Sequence, residues 1–147
     1  MITVDQMIAV LAGAAGTFGF GILFNIRGKK LMIAALGGLL AWLFFVLLGN
    51  VVVNETVRYF IVSVLASCYA EVFARVMKTP RTTFWIVCLI PLIPGSSLYY
   101  TMSSAVAKNT EAFMDKGLHT LELTTALALG IVTVAAGAKW IFRRKNG

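Results

Sequence analysis

Apolar residues gather in five long blocks, 7–24, 31–50, 59–77, 82–106 and 121–142, separated by short polar stretches. Each block is close to the roughly 20 residues that a helix needs to cross a hydrocarbon core. Five such spans use about 100 residues, which leaves short loops and no room for an extramembrane domain. The pattern predicts an all-α fold, a polytopic membrane helix bundle of five transmembrane helices forming one domain over 1–147. Thr3 and Gln6 have capping-box spacing at the start of the first helix.

Composition strengthens this picture. The chain is 59% hydrophobic and 13% charged, against about 45–50% and about 25% in globular proteins. A water-soluble chain of this size leaves much of its surface wet and has no core large enough for that surplus. The net charge of +7 does not point to nucleic acid, because of where it sits. Arg27, Lys29 and Lys30 follow span one, Arg75, Lys78 and Arg81 follow span three, and Lys139, Arg143, Arg144 and Lys145 end the chain. Basic short loops favour the cytoplasmic side, so the N-terminus is expected outside and the C-terminus inside.

Within the spans most small residues read as packing. Ala9, Ala12, Gly13, Ala15, Gly16 and Gly19 form overlapping small-xxx-small pairs in span one, and Gly37 and Gly38 act similarly in span two. Small residues let helix backbones approach closely in lipid. Cys68 and Cys88 lack metal-ligand spacing and read as packing residues. Tyr59, Trp85 and Trp140 fall near span ends, where amphipathic rings favour the headgroup region.

Span four departs from the pattern. Pro91, Pro94 and Gly95 fall within five residues and are followed by Ser96, Ser97, Tyr99, Tyr100 and Thr101. Prolines remove backbone donors and break the helix, so the fourth helix is expected to be broken between Pro91 and Gly95. A restart at Gly95 exposes unpaired N–H groups and a positive dipole end. Broken helices of this kind bind anionic groups in secondary transporters, although a kink satisfied by neighbouring helices has the same signature.

Glu71 lies inside span three, one turn before Arg75. An intramembrane carboxylate faces a bundle interior or a cavity. An ion pair with Arg75 and a proton-coupling role both stay open. Asn25 and Arg27, at the inner end of span one, are polar enough to line a cytoplasmic vestibule. His119 and Glu122 are too few for a metal site. With no nucleophile–base set, phosphate loop or cofactor motif, neither an enzyme nor a cofactor is expected.

The segments Gly19-Phe-Gly-Ile-Leu-Phe-Asn25 and Ile90-Pro-Leu-Ile-Pro-Gly95, with Pro80, Tyr99 and Met102, resemble the threonine/serine exporter family. The resemblance is to its small-subunit type, which corresponds to the C-terminal half of the fused exporters, and runs from about Ala9 to the last span. It implies a secondary exporter in the cell membrane for small carboxylate metabolites, either threonine and serine or a dicarboxylate such as succinate. It also implies a larger membrane subunit as partner and alternating access between the two halves. On that basis Gly95, Ser96 and Ser97 bind the substrate carboxylate, while Tyr99, Tyr100 and Thr101 add polar contacts. Pro91 and Pro94 hold the break open, and Arg27 and Arg75 draw anions to the inner mouth. Two other classes stay open: a non-transporting scaffold subunit, and a homo-oligomeric small multidrug exporter or channel. The latter wants an acidic residue in an early span, where only Asp5 is found.

Overall fold

The computed structural model describes residues 4–143, with side chains for residue 4 and residues 6–140. Thr3, Arg144 and Lys145 lie outside the described residues. The elements are α1 (Val4–Leu23), α2 (Lys29–Leu48), α3 (Glu55–Val76), α4 (Arg81–Leu89), a 3-10 turn (Ile90–Leu92), α5 (Gly95–Val106) and α6 (Thr110–Arg143). The helices α1, α2, α3 and α6 are each long and apolar enough to cross a membrane. Arg81–Leu92 and Gly95–Val106 form a pair bent by 64°, which makes a fifth crossing if counted as one span. The protein is therefore an all-helical, multi-pass membrane bundle with four or five crossings, and its fourth apolar block is divided into two helices where the prolines fall.

Local chemistry sets the helix ends. Three helices stop at a residue in the left-handed region, Asn25 (φ 58°), Lys78 (φ 49°) and Lys108 (φ 55°). After α1, Ile26 N–H donates to Gly21 O and Asn25 N–H to Ile22 O, both at 2.9 Å. This paired arrangement is a Schellman cap, and the same bonds recur at Thr79/Lys78 and Asn109/Lys108. Asn54 caps α3 by accepting from Val57 N–H at 3.2 Å. Asn109 does the same for α6, accepting from Ala112 N–H at 3.1 Å.

Core contacts fix which ends lie together. Ile26, Ala34, Ala74 and Phe84 pack in one cluster, so the cations Arg27, Lys30, Arg75 and Arg81 gather at one end of the bundle. We call this the basic end. A second cluster joins Ala41, Val62, Ala66, Leu89 and Leu92 near the middles of α2 and α3. A third joins Tyr59, Leu123 and Ala126 toward the far end. Tyr59 is thus buried, and Trp85 packs, partly buried, between the first two clusters. Trp140 is exposed.

The last helix differs most from expectation. It begins at Thr110 rather than Leu121 and runs for 34 residues, about 51 Å at the helical rise. The Asn109 cap starts it, and no Pro interrupts the polar stretch that follows. That length exceeds the roughly 30 Å hydrocarbon core. His119 sits level with Glu55 at the start of α3, bonded at 3.3 Å. The first two turns of α6 therefore extend past the far end of α3.

Small residues pack where facing helices lean on them, and only there. A Cβ on Gly38 would lie 2.0 Å from Thr17 Oγ1, and one on Gly37 2.6 Å from Tyr69 Cε1 and Cys88 Sγ. A Cβ on Gly130 would lie 1.7 Å from Ser63 Oγ and 3.0 Å from Phe60 O. Gly16 and Gly19 meet nothing within 4 Å, so part of the small-residue face of α1 has no partner inside the chain. Gly130→Ala is expected to destabilise the purified chain in micelles by about 1–3 kcal/mol through overpacking. Gly16→Ala should be neutral or slightly stabilising, since alanine suits a helix interior better. Thermal unfolding followed by circular dichroism checks both.

Candidate functional site

The break in the fourth span is built from backbone bonds. Pro91 and Pro94 have no N–H to continue the helix, so the chain tightens into the 3-10 turn. Ile93 N–H then donates to Ile90 O at 3.1 Å. Pro94 (φ −73°, ψ 62°) forms an inverse γ-turn, closed by Gly95 N–H donating to Ile93 O at 2.7 Å. The helix resumes with Leu98 N–H donating to Pro94 O at 3.0 Å. Leu89 and Leu92 are buried against Ala41, Val62 and Ala66, so the break lies at mid-bundle depth. Both α1 and α2 pack on the 3-10 turn.

Beyond the break, α5 opens to space. The amides of Ser96 and Ser97 belong to the first turn, which has no intrahelical acceptor. No side chain caps them, since the N-cap is Pro94. A Cβ on Gly95 would meet nothing within 4 Å. Ser96, Tyr99, Tyr100 and Met102 are exposed, and only Thr101 and Ser104 of α5 are buried. The latter two face α6. Thr101 Oγ1 and Thr120 Oγ1 are 3.1 Å apart, and Lys116 Nζ donates to Ser104 Oγ at 3.4 Å.

Ser97 and Tyr100 line a cleft of about 390 Å³ whose opposite wall is Asp115, Lys116 and His119 from the extended part of α6. The Lys116 ammonium sits 5.5 Å from the centroid of the Tyr100 ring. Among the described residues it has no carboxylate partner. His119 is held at 3.3 Å by Glu55 of α3, while Glu122 lines a different, mainly apolar cleft with Phe60 and Leu129. The cleft can therefore receive a small anion between a helix start and an ammonium group. Thr101 turns toward α6 and donates to Ser97 O at 2.8 Å, so its hydroxyl braces this wall. Lys116 and Asp115 are not singled out by the sequence because they precede the fifth apolar block, and His119 is weighed there only with Glu122. The available signal was the placement of His119 one helical turn after both Asp115 (i+4) and Lys116 (i+3), following a capping Asn109.

The remaining candidates lie at the basic end, away from α5. Arg27 Nε donates to Asn25 Oδ1 at 2.9 Å, and both residues are exposed. Glu71 is 5% exposed. Its Oε1 accepts from Arg75 Nε at 2.8 Å and from Arg81 Nη1 at 3.2 Å. Arg81 is a member of this cluster that i, i+4 spacing along α3 does not reveal. Glu71 Oε2 and Ser67 Oγ, one turn away, are buried without a partner.

A multi-pass bundle with a broken span and a polar cleft at the break defines a helical membrane protein built like a transporter. Among known families, the model described as Threonine/Serine exporter, ThrE, matches residues 9–136. The chain belongs to the threonine/serine exporter family, and that membership points to a membrane exporter. No curated protein and no solved structure matches it.

Removing the shared carboxylate should unsettle the basic end. Glu71→Ala is expected to cost about 1.5–3 kcal/mol, the range for lost hydrogen bonds to charged groups. Arg75 is part-buried and Arg81 half-exposed, so solvent screening holds the loss toward the lower figure. Adding Arg75→Leu to Glu71→Leu should recover part of the loss. Unfolding midpoints of the single and double variants measure this.

Proposed function

We propose that this chain is the small subunit of a two-component secondary exporter in the cell membrane. Its substrates are small carboxylate metabolites, threonine and serine or a dicarboxylate such as succinate. The observation that carries the reading is the helix restart at mid-bundle depth, open to space at Gly95, next to a cleft between Ser97 and Lys116 in which the ammonium has no carboxylate partner among the described residues. Ser96 and Ser97 N–H groups, with the dipole end of α5, receive the carboxylate. Tyr99 and Tyr100 supply hydroxyls beside it, Thr101 braces the wall, and Pro91 and Pro94 keep the break from closing into continuous helix.

A partner follows from the same surface. Ser96, Tyr99 and Ser103 are exposed on a half-span that begins at mid-bundle depth. Lipid offers such groups no hydrogen bonds, so a second membrane subunit forms the opposing wall and a watery path. The basic end faces the cytoplasm, which places the N-terminus outside and the C-terminus inside. Arg27 and Arg75 there draw anions toward the mouth, with Asn25 steadying the Arg27 side chain. Glu71 is the coupling-proton group, with its second oxygen still unpartnered inside the bundle. Rocking of the two subunits about the break exposes the cleft alternately.

The test is export of labelled threonine, serine and succinate from cells lacking their own exporters. Cells express this chain, the larger subunit, or both. Export is expected only with both, and should fall about tenfold or more with Gly95→Leu or Lys116→Ala, the size of one lost charge-assisted contact. Membrane levels of the variants must be unchanged. Full export by the larger subunit alone would sink the reading and leave this chain as a scaffold.

A further inference from the structure

A second polar cleft, of about 330 Å³, lies at the far end of the bundle among α1, α2 and α3, with α5 absent from its walls. Gln6, Trp42, Phe45, Gly49, Asn50 and Arg58 line it. The Arg58 guanidinium lies 4.8 Å from the centroid of the Phe45 ring, and the Trp42 ring stacks on Phe45 at 5.2 Å with 17° between planes. Gly49 makes room for this arrangement, because a Cβ there would lie 2.5 Å from Arg58 Nη1.

The hydrogen-bond inventory is one-sided. Arg58 Nε and Trp42 Nε1 are both buried, and neither has an acceptor. The face of Phe45 attracts the cation's charge, yet it leaves the buried Nε–H of the guanidinium without an acceptor. Trp Nε1 and every nitrogen of Arg can only donate. Among the described residues Arg58 forms no ion pair, and the acid nearest to it along α3, Glu55, is held by His119 at 3.3 Å. The amide oxygens of Gln6 and Asn50 share the cleft but reach neither buried donor, and a cation with two unmet donors is completed by a group that accepts and carries negative charge.

We infer that Arg58 and Trp42 form an oxyanion site at the far end of the bundle, separate from the cleft beside α5, that takes a carboxylate or a phosphate. The guanidinium binds the oxyanion by its N–H edge, the indole N–H donates a further bond, and Phe45 holds the arginine flat. Two sources carry such a group at this level, a free anion and a phospholipid headgroup.

The indole N–H of Trp42 gives the readout. The full chain, in maltoside micelles stripped of phospholipid, is labelled with 15N-tryptophan, and the Trp42 resonance is assigned by its loss in Trp42→Phe. Inorganic phosphate, succinate and a short-chain phosphatidylglycerol are titrated separately. A saturable downfield shift of the Trp42 indole proton is expected, with the Trp85 and Trp140 signals still. Arg58→Gln should weaken the response at least tenfold, as should Gly49→Ala, which displaces the guanidinium without removing charge. Response to phosphate and succinate identifies a free-anion site, and response to the lipid alone identifies a headgroup site. No response to any of the three, or an undiminished response in Arg58→Gln, overturns the inference.

Discussion

A peptide group inside a bilayer has no water to bond to, so every N–H and C=O there depends on the protein for a partner. The break between α4 and α5 meets part of this demand with its own backbone. Proline removes donors and creates no new ones, and the stranded carbonyls of Ile90, Ile93 and Pro94 each receive a local N–H. What stays open is donor capacity at Ser96 and Ser97. Such donors are completed by something that accepts, and this backbone feature supports the proposed anion site before any side chain is considered.

The same solvent removes the usual reason for helices to associate. Apolar side chains gain little by leaving lipid for one another, so close backbone approach and dispersion must hold the bundle. Gly37, Gly38 and Gly130 mark where α2 meets α1 and α3, and where α6 meets α3. Polar ties sit at the ends of those contacts rather than along them. Glu71 joins α3 to the start of α4, and His119 with Glu55 joins α6 to the start of α3. Packing fixes how close the helices come, and the ion pairs fix how the ends register.

Much of this was legible before the structure. The all-helical multi-pass bundle, the break at Pro91 and Pro94, and the Glu71–Arg75 pair follow from block length, proline chemistry and i, i+4 spacing, while the fifth crossing depends on counting the bent pair as one span. Hydropathy missed the start of α6 because Thr110 to Thr120 is polar, and a helix that leaves the bilayer no longer needs apolar residues. With those turns went Lys116 and Asp115, and the partner of His119 was Glu55 rather than Glu122. Arg81 and Arg58 were invisible as functional groups for another reason. Their roles come from contacts between helices, and the sequence pattern around each reads only as a basic residue at a span end. Asn25 was read as lining a vestibule, and its positive φ shows that it also ends α1.

The break also divides the fourth span into two parts that belong to different neighbours. The α4 half packs on α3 and α2, whereas α5 packs chiefly on α6. The Thr101–Thr120 pair and the Lys116–Ser104 bond tie α5 to α6 across a three-residue connection. A change of angle near Ile93 and Gly95 would move α5, and α6 with it, relative to α4, and would have to loosen the close α3–α6 contact at Ser63 and Gly130. Pro91 and Pro94 hold their own φ near −65°, so the freedom falls to Ile93 ψ and to Gly95. Because Ser97 and Lys116 lie on opposite walls of one cleft within the α5–α6 hairpin, such a movement would carry that cleft with the hairpin. The walls would then keep their spacing while the exposure of the cleft changes, which is the combination that the proposed alternating access requires.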